Sequence, residues 1–471
     1  MLAYAFCRTM RAQNIVLLIF SLFFYAWGEP KYVVLLMLMS FVDWAAARRI
    51  QKILPKYRRA RKFWVVLAAI VNLGIIGWFK YAGFLCSVFG EPPEFIANIA
   101  LPIGISFYTF QLLSYVVDVS RGDAEAEKEY WHVLLYGSLY HQCIAGPIVR
   151  YKSVAEELFV HRDTWKDMPS GIVRFSVGLG KKVLLANVCG DLAGSFILTE
   201  EAIKAGATAE NMAVLTSTPV AGVWLGMAAY MLQIYLDFSA YSDMAIGLGR
   251  MVGLHYVENF NYPYISTSVT EFWRRWHISL STFFRDYVYI PLGGNREGMW
   301  KTLRNMLVVW ALTGLWHGSS WNFVLWGLFF FVFLTIERLF LKGALKRHRI
   351  IGWIYTTLVV FFGWVLFRYT DLKCVGAVMR GLFGLNGNPM TSFAVKTVFK
   401  NKLYVFLFCI LASTPVFRFI GRKLLAVGNG RPVLGRCCSA VVYWVVPVVL
   451  LILSTAALVG NTYNPFLYFQ F

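Results

Sequence analysis

The sequence reads as an all-α, polytopic membrane protein, and two observations carry that reading. Of 471 residues, 58% are hydrophobic and only 15% are charged, against roughly 25% charged in soluble globular chains. Apolar runs also recur along the whole chain, and several reach the about 20 residues that cross a hydrocarbon core of roughly 30 Å. Lipid offers no partner to a backbone N–H or C=O, so helices are the expected element.

In chain order, hydropathy places apolar segments at about 14–27 with 31–47, 63–80, 101–119, 133–149, 171–198, 212–236, 303–316 with 318–340, 350–367, 403–420 and 440–460. About ten to twelve membrane segments are expected, some of them re-entrant or half-length. No internal repeat, heptad or low-complexity linker interrupts them, and the polar stretches near 151–170 and 381–402 are loop-sized. The chain is therefore expected to form one membrane domain over 1–471.

The formal net charge of +20 would suggest nucleic acid in a soluble protein. Here the basic residues border apolar segments, so they are read as topology markers, with membrane lipids as partner and no nucleic acid. Arg48, Arg49, Lys52, Lys56, Arg58, Arg59, Arg61 and Lys62 form the strongest cytoplasmic cluster. Lys342, Lys346, Arg347 and Arg349 form a second, and Arg418, Arg422 and Lys423 a third. The Gly28-Glu29-Pro30 turn then lies outside, and Asp123 to Glu129 is expected to be a solvated loop. Eight cysteines occur without a C-x-x-C pair, so no zinc or redox motif and no metal site is expected. The N-terminal segment flows into a second apolar one, and no cleavable signal is expected.

One window, about 233–327, is too polar for lipid and too aromatic for a solvent loop. Ionisable groups at membrane depth usually face a protein interior or a water-filled cavity. Asp237, Asp243, Glu271, Arg274, Arg275, His277, Arg285, Asp286 and His317 all fall there, which points to a polar funnel or tunnel within the bilayer. Of seven histidines, His317 alone sits in an otherwise uncharged apolar stretch, near Trp310, Trp316 and Trp321 and between Gly314 and Gly318. The glycines permit close backbone approach or a helix break. Burial favours the neutral imidazole, which serves as a general base. The other reading is a packed, hydrogen-bonded histidine joining two helices, and the residues alone leave both open. Around His277, the positions Phe272, Trp273, Trp276, Leu280, Phe283 and Phe284 make an apolar face at helical spacing, with Arg274, Arg275, Arg285 and Asp286 opposite. That predicts an amphipathic or re-entrant helix at the cytoplasmic interface, closed by a turn at Pro291-Leu-Gly-Gly. His277 there lines an entrance or merely orients the helix.

Weaker signals are set aside. Gly178-Leu-Gly-Lys-Lys lacks phosphate-loop spacing and reads as a helix end with basic residues at the cytoplasmic face. Asp237 and Asp243 are six apart and do not share one helix face, so a paired-carboxylate site is poorly supported. No G-x-S-x-G elbow occurs, and Ser279, Ser281, Ser319 and Ser320 read as hydrogen-bonding rather than nucleophilic.

At these residues the sequence resembles the membrane-bound O-acyltransferase (MBOAT) family, in its alginate O-acetylation branch. Peptidoglycan O-acetylation proteins and the D-alanyl transfer protein of teichoic acids are relatives within the family. The resemblance runs through FSLFFYAWGEP (20–30), LPIGISFYTFQLLSYVVDV (101–119), AGPIVRY (145–151), DFSAYSDMAIGLGRM (237–251), FWRRWHISLSTFFRDYVYIPLGGNR (272–296), GLWHGSSWNFVLWG (314–327) and NPFLYFQF (464–471). It implies that His317 matches the family's essential histidine and His277 the second. Asp237, Asp243, Arg274, Arg275, Trp316 and Asn322 are then candidates for lining the funnel or binding substrate. It also implies acetyl-CoA or another acyl thioester as donor substrate, no bound cofactor, and an extracytoplasmic polysaccharide as acceptor. An exported or membrane-anchored SGNH-type transferase as partner and a bacterial inner-membrane location follow in the same way. Relatives begin with one more hydrophobic segment, of which MLAYAFCRTMRAQN looks like the end, so an N-terminally short chain is expected. Tyr140-His141-Gln142 stands for Phe-Pro-Gln, leaving His141 outside the family pattern, and Asn187 replaces a common Asp. The competing classes are D-alanyl transfer to teichoic acid, a transporter or channel using the polar window, and a non-catalytic scaffold of a polymer-export complex. Transporters often show inverted repeats, and none is visible here.

Overall fold

The computed structural model describes residues 2–144, 146–162, 164–427, 432–460, 466 and 467. Ala145 of the 145–151 motif, and all but Phe466 and Leu467 of the 464–471 motif, lie outside the described residues. Among the described residues there are helices and no strand. Six helices are long and apolar enough to cross a membrane: Met10–Gly28, Arg58–Phe89, Val220–Met251, Trp321–Leu341, Arg349–Arg368 and Val433–Val459. A seventh is reached if the bent pair at 393–426 counts as one span.

The larger expected count of ten to twelve includes elements that do not meet that standard. Ile105–Arg121 has 17 residues, Tyr130–Ser138 has nine, and Tyr32–Lys52 carries Asp43, Arg48, Arg49 and Lys52. The physical reason is what each helix faces. Val433–Val459 has a mean hydropathy of 2.4 with 11% of its span buried in protein, whereas Val220–Met251 has 1.2 with 78% buried. A helix wrapped by other helices can carry polar groups that find partners there; a helix facing lipid cannot.

The described residues form two compact units, 1–172 with 244–258, and 173–243 with 259–471. In the first, Ile105–Arg121 is the central helix, with Tyr108, Leu112, Tyr115 and Val116 fully buried. Leu36, Ala47 and Ile50 of Tyr32–Lys52 belong to the same core. Asp43 is buried there and accepts two hydrogen bonds from Nδ2 of Asn72, at 2.9 and 3.1 Å. Pairing an interior carboxyl with an amide lowers its burial cost. His141 is likewise a satisfied interior group, against the Tyr256 hydroxyl at 2.9 Å.

The acidic loop of this unit departs from expectation. Asp123 is solvated beside Lys152 at 2.9 Å, but Glu127 is a connector. Its carboxylate meets His132 Nδ1 at 2.6 Å and the Tyr151 hydroxyl, its N–H donates to Tyr115 at 2.8 Å, and its C=O accepts from Trp44 at 3.0 Å. A loop closing over helix ends must satisfy its own backbone, and here side chains from several helices do so.

In the second unit, Met299–His317 packs against the helix starting at Trp321 through two glycines. A Cβ on Gly314 would stand 2.3 Å from the Phe323 carbonyl oxygen, and one on Gly327 would stand 2.4 Å from that of Trp310. The backbones touch, as small residues permit between membrane helices. Gly314→Ala is therefore expected to destabilise by about 1–3 kcal/mol, as overpacking does. Gly376, whose Cβ would meet nothing within 4 Å, is the control, and Gly376→Ala should be neutral or slightly stabilising. Thermal unfolding of the two purified variants in detergent separates them; equal midpoints would contradict the close approach.

Candidate active site

The candidate site lies wholly within the second unit. His317 is the last residue of its helix, and Gly318 follows in extended conformation. The helix ends at the imidazole, and the Phe323 ring packs where a Cβ on Gly318 would stand, at 2.1 Å, so only glycine fits there. Both roles expected of the flanking glycines are thus realised, close approach at 314 and a break at 318. His317 is 7% exposed and sits in an aromatic box. Trp316, Trp326 and Phe367 stand edge-on to it, with ring centroids at 5.0, 4.9 and 5.1 Å.

A narrow cavity of about 20 Å³ opens beside it, bordered by Asp237, Phe238, Trp276, Trp364 and Leu467 among others. That volume admits a water molecule, for which roughly 10–15 Å³ suffices. A thioester or sugar needs the walls to move.

His277 stands on a different device. The single amphipathic helix expected over this segment is two short ones, Val269–Arg275 and Ile278–Phe284, and His277 joins them with φ 45° and ψ 55°. Left-handed backbone at a non-glycine residue carries strain and persists only when its surroundings hold it. Asn259 supplies the hold. Its Oδ1 accepts from the Ser279 N–H at 3.2 Å and hydroxyl at 2.9 Å, and meets His277 Nδ1 at 3.1 Å. Its backbone carbonyl accepts from Ile278 at 2.9 Å, and its Nδ2 donates to Ser242 at 3.1 Å. An acceptor at Nδ1 puts the ring proton there and the lone pair on Nε2. The N-terminus of Val269–Arg275 is fixed by buried Glu337, which accepts from the N–H groups of Val269 and Thr270 at 2.5 and 2.9 Å. The break explains why Phe272, Trp273, Trp276, Leu280, Phe283 and Phe284 are all buried rather than half of them facing a membrane surface. The 291–294 turn forms as expected, with Gly293 and Gly294 at positive φ and Asn305 donating to the carbonyls of Leu292 and Gly294 at 3.1 and 2.9 Å.

The two histidines flank one ring. Trp316 lies 5.7 Å from His277 and 5.0 Å from His317, edge-on to both. Asp237, the third polar element, comes from Val220–Met251. It accepts from Lys182 Nζ at 2.5 Å and from the Leu467 N–H at 2.8 Å, and Lys182 also lies over the Phe466 ring at 4.8 Å. About 9 Å further along the helix, six residues at about 1.5 Å each, Asp243 accepts from Arg174 and Lys181, both at 2.6 Å. The two carboxylates do not pair, in keeping with their spacing. The Lys181-Lys182 segment, however, is not a helix end. It opens a π-helical stretch, Lys181–Ala186, continuous with the helices on both sides, and its ammonium groups are the interior counter-ions of Asp243 and Asp237. Buried carboxylates demand such partners.

Of the remaining candidates, Arg274 is exposed. Arg275 pairs with Glu271 at 2.9 Å and donates to the Asn261 carbonyl at 3.1 Å. Neither borders the cavity, because both point away from the buried face of their short helix. Asn322 is an interior tie, bonded to Ser320 and donating to the Leu366 carbonyl at 3.1 Å. Asp243 and Trp316 do not border the cavity either, although Trp316 separates the two histidines. Sequence reasoning missed Asn259, Lys182, Trp364, Phe367 and Leu467. Asn259 and Leu467 stand in conspicuous polar or aromatic stretches, but nothing local links them to the histidines. Asn259→Leu is expected to release the His277 turn and cut activity by up to about a hundredfold, the order of loss that a 1 Å misplacement in a site can cause. The effect is read as the rate in isolated membranes at equal protein level.

Membrane-crossing helices around a buried histidine and carboxylate, ringed by aromatics, define a multi-pass membrane protein with an interior polar cluster. The sequence profile of the membrane-bound O-acyltransferase family matches residues 19–376, and the chain belongs to that family. It is 34% identical to the probable alginate O-acetylase AlgI of Azotobacter vinelandii, over 98% of this chain and 95% of that one. It is 29% identical to the peptidoglycan O-acetyltransferase of Helicobacter pylori, over 88% and 82%. It is 28% identical to the teichoic acid D-alanyltransferase of Bacillus subtilis, over 59% and 69%. The protein is a membrane O-acyltransferase.

Proposed function

We propose that this chain transfers an acetyl group from a cytosolic thioester, acetyl-CoA or another acyl carrier, for O-acylation of an extracytoplasmic polysaccharide, in the inner membrane of a bacterium. The observation that carries the reading is His317, held at a helix break beside a cavity that also receives Asp237. In the reaction, a hydroxyl oxygen attacks the thioester carbonyl, the new C–O bond forms and the C–S bond breaks. The hydroxyl proton passes to the imidazole of His317 and then to the departing thiolate. An imidazole in this position acts as a base or as an orienter of the hydroxyl. His277, fixed by Asn259 on the far side of Trp316, is the second polar group of the same site. The cluster of Arg174, Lys181 and Asp243 holds two cations against one carboxylate, which suits an anionic donor carrier. An SGNH-type exported or membrane-anchored transferase is the proposed partner that completes delivery.

Relatives named for O-acetylation support acetyl over D-alanyl, since they match 82–98% of this chain and the D-alanyltransferases 51–59%. Mass spectrometry of cell-envelope and secreted polymer from a deletion strain tests the reading. Loss of O-acetyl from one glycan, restored by the gene, is expected. Intact acetylation with loss of D-alanyl ester from teichoic acid would replace the proposal with that transfer.

A further inference from the structure

The segment expected as one span over about 403–420 is broken. Phe393–Ala412 ends near Ser413, and the helix after it turns away by 68°. This helix, Val416–Val427, contains three basic residues and no acidic one. At 100° per residue, Val416, Phe417, Ile420 and Leu424 fall within one 100° sector, Arg418 and Arg422 lie opposite it, and Lys423 lies at its edge beside Val416, with Phe419 next to Lys423. The protein covers neither side: Phe417, Ile420 and Leu424 are 44%, 46% and 40% exposed, and Arg418, Arg422 and Lys423 are not buried either. Across the bend Phe417 meets Phe408 at 5.1 Å, which continues the apolar side onto the preceding helix.

We propose that Val416–Val427 is an interfacial helix whose apolar side lies in the acyl-chain boundary and whose cations bind anionic phospholipid headgroups. Three features name lipid as the occupant. Together with Phe393–Ala412 the helix has the length and hydropathy of a membrane segment, so its apolar side belongs at the bilayer. The 68° bend between the two helices keeps them from crossing the bilayer along one axis, which leaves the second to lie along the membrane surface. Its charge is of one sign, complementary to acidic lipid. Basic residues near an anionic surface strengthen attachment by about fivefold each, hence about a hundredfold for three. This role exceeds that of a topology marker, because it predicts dependence on lipid charge.

The test is hydrogen–deuterium exchange of the full-length protein in nanodiscs of phosphatidylcholine alone or with phosphatidylglycerol. Amides of 416–427 should exchange at least about tenfold more slowly with phosphatidylglycerol, and the difference should shrink at high salt. A variant carrying Arg418→Gln, Arg422→Gln and Lys423→Gln should lose the difference while the rest of the exchange pattern is kept. A second variant, Phe417→Ser with Ile420→Ser and Leu424→Ser, should exchange fast in both lipids. Equal exchange of the natural protein in the two lipids overturns the proposal. So does protection that rises with protein concentration, which would assign the helix to contact between copies of the protein.

Discussion

His317→Ala is expected to lower acyl transfer by about a thousandfold, within the roughly 10²–10⁴ that a positioned general base contributes. Unchanged protein level should accompany the loss, with a fall in melting temperature no larger than a cavity costs. The side chain sits among Trp316, Trp326 and Phe367, so truncation leaves a hole in a wall that neighbouring rings still hold. A second substitution separates the two roles open to the imidazole. His317→Gln keeps a hydrogen-bonding side chain but cannot take up a proton. If His317 is the base, Gln is as inactive as Ala; if it orients the hydroxyl, Gln retains a measurable fraction. The readout is transfer of labelled acetyl in isolated membranes. Full activity in His317→Ala would end the catalytic assignment.

Lys182→Met should be the most destabilising single change among the interior charges. It leaves the Asp237 carboxylate buried, with the Leu467 N–H still donating to it but no counter-ion. Removing one partner of a buried pair costs about 3–5 kcal/mol. Replacing both partners with apolar groups of similar size is often neutral, so Lys182→Met with Asp237→Leu should recover most of the folded protein. Thermal unfolding of the single and double variants measures the recovery, and no recovery would show that the two side chains are not a pair. Activity then adds a distinction that stability cannot. Asp237 borders the His317 cavity, so a double variant that is folded and inactive places the carboxylate in the reaction, whereas an active one makes the pair a structural tie.

The histidines are legible in the sequence because each breaks a local pattern. His317 is a lone polar group in an apolar run between glycines, and His277 lies among aromatics and arginines. The resemblance to a family of acyltransferases then joins them. What is not legible is how each is held. The amphipathic pattern over 272–284 predicts one continuous helix, and only Asn259, eighteen residues before His277, makes a left-handed break there favourable. The Lys181-Lys182 pair looks like a basic helix end in sequence, since local reading assigns lysines to the nearest water. Tertiary packing instead supplies two carboxylates from Val220–Met251, a helix well downstream. Glu127 is hidden for the same reason, because its partners His132, Tyr151, Tyr115 and Trp44 come from four separate segments.

By itself the sequence determined the class of protein. Apolar length and the backbone's need for internal partners in lipid leave little choice but a helical, multi-pass membrane protein, and the motifs at 272–296 and 314–327 carry the acyltransferase family. Tertiary structure alone decided which polar residues meet: His277 with Asn259, His317 with Trp326 and Phe367, Asp237 with Lys182 and Leu467. It also decided that Arg274 and Arg275 face away and that the helix after residue 412 leaves the axis of the one before it. The physical reason is range. Hydropathy and periodicity report on a residue's few neighbours along one helix. The partner that satisfies a buried carboxylate or props up a strained turn comes from a helix that sequence distance does not point to.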